Sequence, residues 1–442
     1  MSRTEHDADV LVVGAGPAGA SAAFHLAAHG IDVLVLEKSE FPREKVCGDG
    51  LTPRAVHQLI GMGVNIDAPG WQRHRGVRFV SAGPQLEVDW PKLNSFPGFS
   101  LTRTRHDFDD ILIHHARATG ARLHTAIRVT GPMLGADGYV IGVQAVSTAD
   151  RQPRTYRAPL VIAADGVSAR LPLALGIDRH PERPLGIAVR RYYRCPPRHR
   201  DNYLECWAPI RDPKTNRPLP SYGWIFGLGD GRVNVGLAVT KTRGKTMPTD
   251  CDRILQAWLQ HTPPDWGLHD DTHADGPIRG AALPMGFHRS PHYTHGLMLV
   301  GDAAGLVNPM TGEGIGYAME SGELAAAIAT DALAQPAQRE NILRQYPQEL
   351  RKRFGAVFRA GNLSAELMAN PIINTLITRH GTKFPPVVHF LARLSCQLTN
   401  NPSKDLTDWI ISTTLRLAPQ IKVRPPLQSD RTPKTQTNQL TC

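Results

Sequence analysis

The chain opens with two short, wholly apolar segments separated by a glycine-rich turn and an alanine-rich stretch. Residues 10–13 and 31–36 are almost uninterrupted runs of valine, leucine and isoleucine, which predicts strands buried on both faces of a parallel sheet. Residues 18–29 are alanine-rich and are followed by Gly30, which predicts a helix closed by a glycine. The order predicts a β-α-β unit of about 30 residues.

Further along, the patterns predict a β-rich region set between parts of a second unit. Residues 105–119 predict a helix with Phe108, Ile111 and Leu112 on its buried side. Residues 185–239 are rich in strand-like segments broken by proline-containing loops. Short strands are also predicted at residues 140–146, 160–163 and 297–300. Helical patterns follow the last of these strands to about residue 417.

Composition restricts the function classes. The 442 residues are 41% hydrophobic and 20% charged, as in soluble globular proteins of more than one domain. The net charge of +10 is diffuse and suits an anionic cofactor or lipid headgroups, and no nucleic-acid module accompanies it, so we expect no nucleic-acid partner. The six cysteines show no CxxC spacing and the 19 histidines no HExxH, so we expect reduced thiols and no metal site. Without a long apolar run or a signal-peptide pattern, we expect a cytoplasmic protein.

The first turn carries a dinucleotide-binding pattern. Gly14-Ala15-Gly16-Pro17-Ala18-Gly19 fits GxGxxG between the first predicted strand and helix. Gly14 permits the turn, Gly16 lets the backbone approach a pyrophosphate, and Gly19 lets the helix pack on the strand. The helix N-terminus offers free N–H groups to the anion. Glu37, at the end of the second strand, is placed to accept from a ribose hydroxyl.

Two later strand ends favour FAD over NAD. Asp165-Gly166 follows one apolar strand and precedes what we predict to be a serine-capped helix. Gly301-Asp302 follows another and leads to Gly312-Glu313-Gly314-Ile315. An acidic side chain at a strand end suits the ribityl or ribose hydroxyls of FAD. A glycine-rich helix start places N–H groups where the flavin gains negative charge on reduction. Three such motifs in this order predict FAD binding.

Together the motifs resemble the flavoproteins related to the aromatic hydroxylases, and further segments resemble the geranylgeranyl reductase family. Cys47-Gly48-Asp49-Gly50-Leu51, within residues 41–55, is similar to that family's CGDGL stretch. Tyr222-Gly223-Trp224-Ile225-Phe226 resembles its YxWxF substrate motif, and Asn234-Val235-Gly236 its NVG strand. The resemblance runs from about Asp9 to Leu417 and is strongest to the actinobacterial menaquinone reductases. Gly227 stands where the family usually has proline, from which we expect a looser turn beside the lipid pocket.

The resemblance implies an α/β fold of the aromatic-hydroxylase type. It has a Rossmann-type FAD-binding domain, an inserted β-rich substrate domain and a helical C-terminal region. The predicted boundaries are residues 7–175 and 291–335 for the FAD-binding domain, 176–290 for the substrate domain and 336–420 for the helical region. Residues 421–442 are polar and rich in proline, threonine and glutamine, which predicts a disordered tail.

The motifs and the resemblance assign the site residues. The expected cofactor-binding residues are Gly14, Gly16, Pro17, Ala18, Gly19, Glu37, Lys38, Cys47, Gly48, Asp49, Gly50, Arg105, Asp165, Gly301, Asp302, Gly312, Gly314 and Ile315. Tyr222, Trp224 and Phe226 alternate along a strand and therefore share one face, either as sheet core or as an apolar wall for a prenyl chain. Cys47 and Tyr222 are the catalytic candidates, with bound water as a rival proton source and simple packing as the other interpretation of Cys47.

The implied function is an FAD-dependent reductase that adds a hydride and a proton across double bonds of an isoprenoid chain, the menaquinone side chain or a geranylgeranyl group. No second GxGxxG follows a strand, so we expect no separate NAD(P)H domain. The expected reductant is NAD(P)H bound transiently, ferredoxin or a membrane carrier. The alternative is a flavin-dependent monooxygenase or halogenase acting on an aromatic substrate, against which Trp224 lacks the partner of a WxWxIP segment. A non-enzymatic prenyl-lipid carrier is the third interpretation, and the intact glycine motif disfavours it.

Apolar residues near the C-terminus bear on membrane contact. They either complete the core or cover a lipid tunnel and dip into the membrane interface. From them and the basic charge we expect a protein peripheral to the inner face of the cell membrane. These residues are Leu367, Ile372, Ile373, Leu376, Ile377, Val387, Val388, Phe390 and Leu391.

Overall fold

The computed structural model describes residues 6–81, 85–181, 183–241, 250–368, 385–400 and 406–417. Its strands are β1 (Val10–Val13), β2 (Val33–Leu36), β3 (Gly50–Leu51), β4 (Gln72–His74), β5 (Gly76–Val80), β6 (Leu86–Asp89), β7 (Ser100–Thr102), β8 (Arg122–His124), β9 (Ile127–Leu134), β10 (Val140–Ser147), β11 (Pro153–Arg157), β12 (Leu160–Ala163), β13 (Leu185–Arg194), β14 (Tyr203–Trp207), β15 (Ser221–Gly227), β16 (Arg232–Lys241), β17 (Ala274–Pro284), β18 (Tyr293–Thr294) and β19 (Leu297–Leu299). Its helices are α1 (Pro17–Ala28), α2 (Pro53–Gly61), α3 (Arg105–Ala118), α4 (Arg170–Ala174), α5 (Cys251–Leu259), α6 (Ile315–Ala334), α7 (Arg339–Leu343), α8 (Tyr346–Met368), α9 (Pro385–Ser395) and α10 (Leu406–Leu417).

A six-stranded sheet in the order β18-β19-β12-β1-β2-β8 forms the first unit, and its strands are parallel except β18. The predicted β-α-β unit is confirmed, with β1 and β2 buried at every position. Helix α6 packs closely on α1, where a Cβ added at Gly322 would overlap the Ala18 carbonyl oxygen. Because β1, β2, β12 and β19 are parallel, their carboxyl ends meet at one edge, where ligands bind in such sheets.

A seven-stranded sheet in the order β17-β13-β16-β15-β14-β5-β6 forms the second unit. One of its faces packs on α5, where a Cβ added at Gly223 would lie 2.6 Å from the Trp258 ring. Strands β5 and β6 come from a segment that the sequence assigned to the FAD-binding domain, yet they join this sheet through parallel pairing of β5 with β14. Apolar periodicity predicts that a segment is a strand but not which sheet it joins. The predicted domain boundaries remain predictions.

The segment after Asp165 differs from the sequence expectation. Residues Gly166–Ser168 form a 3₁₀ turn, and Ala169 adopts a left-handed conformation (φ 44°) before α4 begins. Ser168 therefore caps no helix. Asp165 instead contacts the start of α4, because its Oδ2 accepts a hydrogen bond from the backbone N–H of Leu171 at 3.2 Å.

The C-terminal helices close one side of the molecule. Phe354 and Phe358 on α8 are fully buried and pack against Tyr317 of α6. The predicted apolar positions Ile372, Ile373, Leu376 and Ile377 lie outside the described residues, as does the predicted tail at 421–442.

Candidate active site

A cavity of about 970 Å³ begins at the carboxyl edge of the six-stranded sheet and extends over the seven-stranded sheet to α8 and α9. A volume of this size suits a large cofactor or ligand. Its lining includes the expected cofactor-binding residues other than Gly19 and Gly301, and the expected substrate residues Tyr222, Trp224 and Phe226. The fold thus brings both predicted groups to one space.

The glycine-rich turn leaves room for an anion. Gly14 has φ 101° and lies so close to Ala164 that a Cβ would overlap that residue's carbonyl oxygen. A Cβ added at Gly19 would overlap the carbonyl oxygen of Gly14. A Cβ added at Gly16 would instead project towards two guanidinium groups, 3.8 Å from Arg43 Nη2 and 4.0 Å from Arg105 Nη2. This cradle of backbone and positive charge at a helix N-terminus fits the pyrophosphate of FAD.

Asp109 holds the two arginines side by side. Arg105 Nε and Nη2 lie 2.6 and 2.7 Å from its carboxylate oxygens, and Arg43 Nη1 lies 2.9 Å from Oδ2. Thr104 caps α3, so Arg105 and Asp109 sit one helical turn apart on the same face. Sequence reasoning missed Arg43 and Asp109, although the i, i+4 spacing of an arginine and an aspartate could have indicated the pair.

Glu37 is buried beneath the turn. Its Oε2 accepts from the Ala15 backbone N–H at 2.9 Å, and its Oε1 accepts from the Ser39 N–H at 3.1 Å. These bonds fix the carboxylate at the end of β2, where it lines the cavity beside the exposed Lys38. Its role towards a ribose stays a prediction.

Asp49 joins the CGDGL turn to the seven-stranded sheet. Its backbone is left-handed (φ 63°), and its Oδ2 accepts from the Tyr192 hydroxyl and the Asn234 amide, each at 2.7 Å. Its Oδ1 accepts from the Arg105 backbone N–H at 3.2 Å. Burial raises the pKa of Asp49 to about 6, against the lowering effect of these hydrogen bonds. With both oxygens engaged by protein groups, Asp49 acts as a structural junction.

The carboxylates of Asp165 and Asp302, which follow two strands of the six-stranded sheet, differ in their protein partners. Asp165 Oδ1 is buried without a hydrogen-bond partner, and burial raises the pKa of Asp165 to about 6. Asp302 lies 3.5 Å from Lys45 Nζ. Helix α6 begins after Gly314 with no side-chain cap, which leaves its first N–H groups for a ligand. An unsatisfied acceptor and a row of free donors fit the hydroxyls and the flavin carbonyl of FAD.

The aromatic residues of β15 form a wall of the apolar part. Ring centroids lie 6.1 Å apart for Tyr222 and Trp224 and 6.3 Å apart for Trp224 and Phe226. The glycines of the CGDGL turn pack against this wall, with a Cβ at Gly50 placed 3.0 Å from the Phe226 ring. Trp224 Nε1 donates to Asn234 Oδ1 at 2.9 Å, which fixes the indole. The opposite face of the sheet packs on α5, and all three residues line the cavity, with Trp224 only 4% exposed.

The floor of the apolar part consists of small side chains. Tyr222 pairs with Ala238, Ala238 with Ala188, and Ala188 with Ala281 across neighbouring strands. All three alanines line the cavity. Their short side chains leave a shallow trough beside the aromatic rings.

The two catalytic candidates retain their protons in this arrangement. The Tyr222 hydroxyl donates to the Thr311 carbonyl oxygen at 2.7 Å, and burial raises the pKa of Tyr222. Burial also raises the pKa of the Cys47 thiol, against the lowering effect of Arg105. Sequence reasoning missed a third group, Glu313, although the residue lies inside a motif that it identified. Burial raises the pKa of Glu313 to about 7.

Gly227, the departure from the family pattern, does not line the cavity. A Cβ there would lie 2.5 Å from the His199 carbonyl oxygen and 2.8 Å from that of Arg198. The missing side chain therefore serves the packing of the 198–199 backbone on β15. The absence of proline at this position therefore bears on this backbone contact and not on the lining of the cavity.

Comparisons with known proteins agree with this geometry. The FAD binding domain family matches residues 7–360. Menaquinone reductase of Mycobacterium tuberculosis is 35% identical over 377 residues, which cover 83% of this chain and 85% of that protein. Digeranylgeranylglycerophospholipid reductase 1 of Methanopyrus kandleri is 28% identical, with coverage of 81% and 90%.

The fold also has a solved counterpart. The structure of a geranylgeranyl bacteriochlorophyll reductase-like protein from Thermoplasma acidophilum superposes with a TM-score of 0.72 at 21% identity, covering 93% of this chain and 96% of that one. The predicted fold class is thereby confirmed. From the match over most of its length, the chain belongs to the FAD-dependent oxidoreductases of the geranylgeranyl and menaquinone reductase family.

Proposed function

We propose that this protein saturates double bonds in an isoprenoid chain, with the side chain of menaquinone as its substrate. The observation that carries the proposal is the continuity of the cavity, which runs from the FAD cradle into a trough lined by Tyr222, Trp224 and Phe226. The 35% identity to a menaquinone reductase over most of the chain supports the choice of substrate.

The walls of the trough suit the chemistry. Bound reduced FAD supplies a hydride. An isolated prenyl alkene has no group that stabilises negative charge, so the charge that develops on it during reduction is positive. Ring faces such as that of Trp224 stabilise a nearby positive charge, and a dry apolar site strengthens the effect. The small side chains of Ala188, Ala238 and Ala281 leave space for the methyl branches of the chain.

The end of the trough favours entry from a membrane. Leu367 on α8 and Leu391 on α9 line the cavity, and they are also 45% and 41% exposed. Leu363 and Trp409, which are 44% and 61% exposed, lie on α8 and α10 of the same helical region. No helix among the residues described is long and apolar enough to cross a membrane. We therefore propose peripheral contact through this face, with the isoprenoid passing directly from the bilayer into the cavity.

The cofactor end favours an anionic electron donor. Lys38, Arg128 and Arg170 are exposed and border the cavity there. Their charge attracts a nicotinamide dinucleotide or an acidic carrier protein such as ferredoxin.

An anaerobic single-turnover experiment tests the proposal. The purified flavoprotein is reduced with dithionite and mixed with menaquinone in detergent or with geranylgeranyl diphosphate. The product mass and the flavin spectrum are then recorded. We expect a gain of two hydrogens for each flavin reoxidised, with menaquinone as the better substrate. Reduced flavin that stays stable with both lipids, yet yields an oxygenated or halogenated aromatic product once oxygen, a halide and an aromatic substrate are supplied, would establish the alternative activity.

A further inference from the structure

Glu313 is held in the loop before α6 with one carboxyl oxygen unused. Its backbone N–H donates to Thr311 Oγ1 at 3.2 Å, and its carbonyl oxygen accepts from Asn308 N at 2.8 Å. Its side chain lines the cavity, and its Oε1 accepts from the Thr52 hydroxyl at 2.6 Å. Its Oε2 is buried and has no hydrogen-bond partner. A buried bare oxygen is costly on a carboxylate and much less so on a neutral acid, so the site favours the protonated form.

The other carboxyl groups that line the cavity either have protein partners or lie in its cofactor half. Glu44 pairs with Arg190 at 2.7 Å. Glu37 and Asp49 accept from protein donors on both oxygens, and Asp302 pairs with Lys45. Asp165 also has an unpartnered oxygen, but it lies at the end of β12 beside the start of α4, in the cofactor half.

Glu313 lies where the two halves of the cavity meet. The preceding residue touches the substrate wall, since a Cβ added at Gly312 would lie 2.6 Å from the Tyr222 hydroxyl. The following residue, Gly314, precedes the free N–H groups of α6 that fit the flavin. The loop that carries Glu313 therefore connects the start of α6 with the wall formed by Tyr222.

The charged and titratable groups around Glu313 leave it as a proton donor of suitable strength. Burial raises the pKa of Glu313 to about 7. The Thr52 hydroxyl and Arg54 on α2 lower it, and Glu320 on α6 raises it. The neighbouring Tyr222, Tyr317 and Cys396 hold their protons more tightly, and burial raises the pKa of Cys396 to about 12. A general acid works best when its pKa is near the operating pH.

We propose that Glu313 is the general acid that protonates the isoprenoid double bond, an assignment that rests on the proposed function. In the reaction the π bond breaks and one carbon receives the hydride with its electron pair, which oxidises the reduced flavin by two electrons. The other carbon receives the carboxyl proton of Glu313 once rotation of the side chain turns Oε2, which is buried in this structure, towards the cavity. Because Thr52 donates to Oε1, the acid proton resides on Oε2. The carboxylate left behind is stabilised by Thr52 and Arg54 until solvent returns a proton.

The test compares Glu313→Gln, Glu313→Asp and the matched control Glu323→Gln in the FAD-loaded protein. Glu323 lies on α6 outside the cavity, with a side chain 36% exposed. We expect Glu313→Gln to slow single-turnover saturation roughly 100-fold with unchanged FAD content and menaquinone affinity. Wild-type turnover falls as the pH rises through 7, and the residual rate of Glu313→Gln shows no such fall. Glu313→Asp, which keeps an acid, recovers part of the rate.

A second readout needs neither substrate nor turnover. Infrared spectra recorded across the pH range show a protonated carboxyl group that titrates near pH 7 in the wild-type protein and in Glu323→Gln, and its band is absent in Glu313→Gln. The assignment is overturned if Glu313→Gln saturates within threefold of the wild-type rate, or if the wild-type spectra contain no such carboxyl group. If Glu313→Gln loses FAD, its turnover is not interpretable, and the infrared spectra of the wild-type protein decide whether Glu313 is the acid. Wild-type protein that saturates neither lipid overturns the proposed function, while the infrared result still reports on Glu313.

Discussion

The side-chain amide of Asn234 donates to Asp49 Oδ2 at 2.7 Å and so joins two residues 185 positions apart. The same amide donates to the Cys47 carbonyl oxygen at 2.8 Å, and its Oδ1 accepts from Trp224 Nε1. One buried side chain thus fixes the turn beside the cofactor to the indole of the substrate wall.

Replacing Asn234 should separate these parts. We expect Asn234→Ala to lower the free energy of unfolding by about 1–3 kcal/mol, because it leaves the Trp224 N–H and one lone pair of Asp49 without partners in the interior. FAD content should fall with it. Urea denaturation and flavin absorbance measure the two effects. Asn341→Ala, at an exposed position of α7, is the matched control, and equal loss in both variants would contradict the role of Asn234.

The trough predicts a steric effect on substrate. Ala238→Leu should fill the floor opposite Tyr222 and lower kcat/KM for menaquinone about tenfold or more, since overpacking a formed site costs roughly 1–3 kcal/mol. FAD content should not change. Steady-state rates of the variant check the effect, with Ala334→Leu as the control because Ala334 is exposed on α6. Wild-type kinetics in Ala238→Leu would show that the isoprenoid lies elsewhere.

Gly227 predicts a stability effect without a substrate effect. Gly227→Ala places a Cβ 2.5 Å from the His199 carbonyl oxygen and should cost about 1–3 kcal/mol of unfolding free energy. Gly131→Ala, where a Cβ meets nothing within 4 Å, is the control for glycine replacement in a strand. Thermal or urea unfolding of both variants measures the difference. A change in which double bond is saturated, with stability intact, would place Gly227 in the lipid pocket after all.

Asp165 predicts a pH dependence of stability in the protein stripped of FAD. Its pKa rises on folding from 3.8 to about 6, so the folded state binds the proton more tightly than the unfolded state. The resulting stabilisation is fully present below pH 3.8 and is lost as the pH rises through about 6. Asp165→Asn should therefore flatten the fall in stability between these pH values, whereas Asp331→Asn at an exposed site on α6 should leave it unchanged. Urea titrations at a series of pH values make the comparison, and identical slopes for Asp165→Asn and wild type would disprove it.

The exposed apolar helices predict vesicle binding. Leu367→Ser should reduce cosedimentation with lipid vesicles several-fold, because the residue lines the cavity and is 45% exposed, and burial of one such side chain contributes roughly 1.5–3 kcal/mol. Leu173→Ser is a closely matched control, since Leu173 on α4 is also 45% exposed but does not line the cavity. Equal binding by the two variants would exclude this face as the membrane contact.

Much of the cofactor half followed from the sequence alone. The β-α-β unit, the glycine turn and the acidic strand ends could be placed because side-chain direction repeats over two residues in a strand and 3.6 in a helix. The shared face of Tyr222, Trp224 and Phe226 followed from the same alternation. Parallel strand ends then had to meet at one edge.

Only the tertiary structure decided which of these residues touch and what remains unsatisfied. Three contacts join distant segments: the pairing of Arg43 with Asp109, the junction of Asn234 with Asp49, and the pairing of β5 with β14 in the seven-stranded sheet. The bare Oε2 of Glu313 depends on where Thr52 and Arg54 of another segment come to lie. Local periodicity carries no information about such contacts, because they depend on the path of the whole chain.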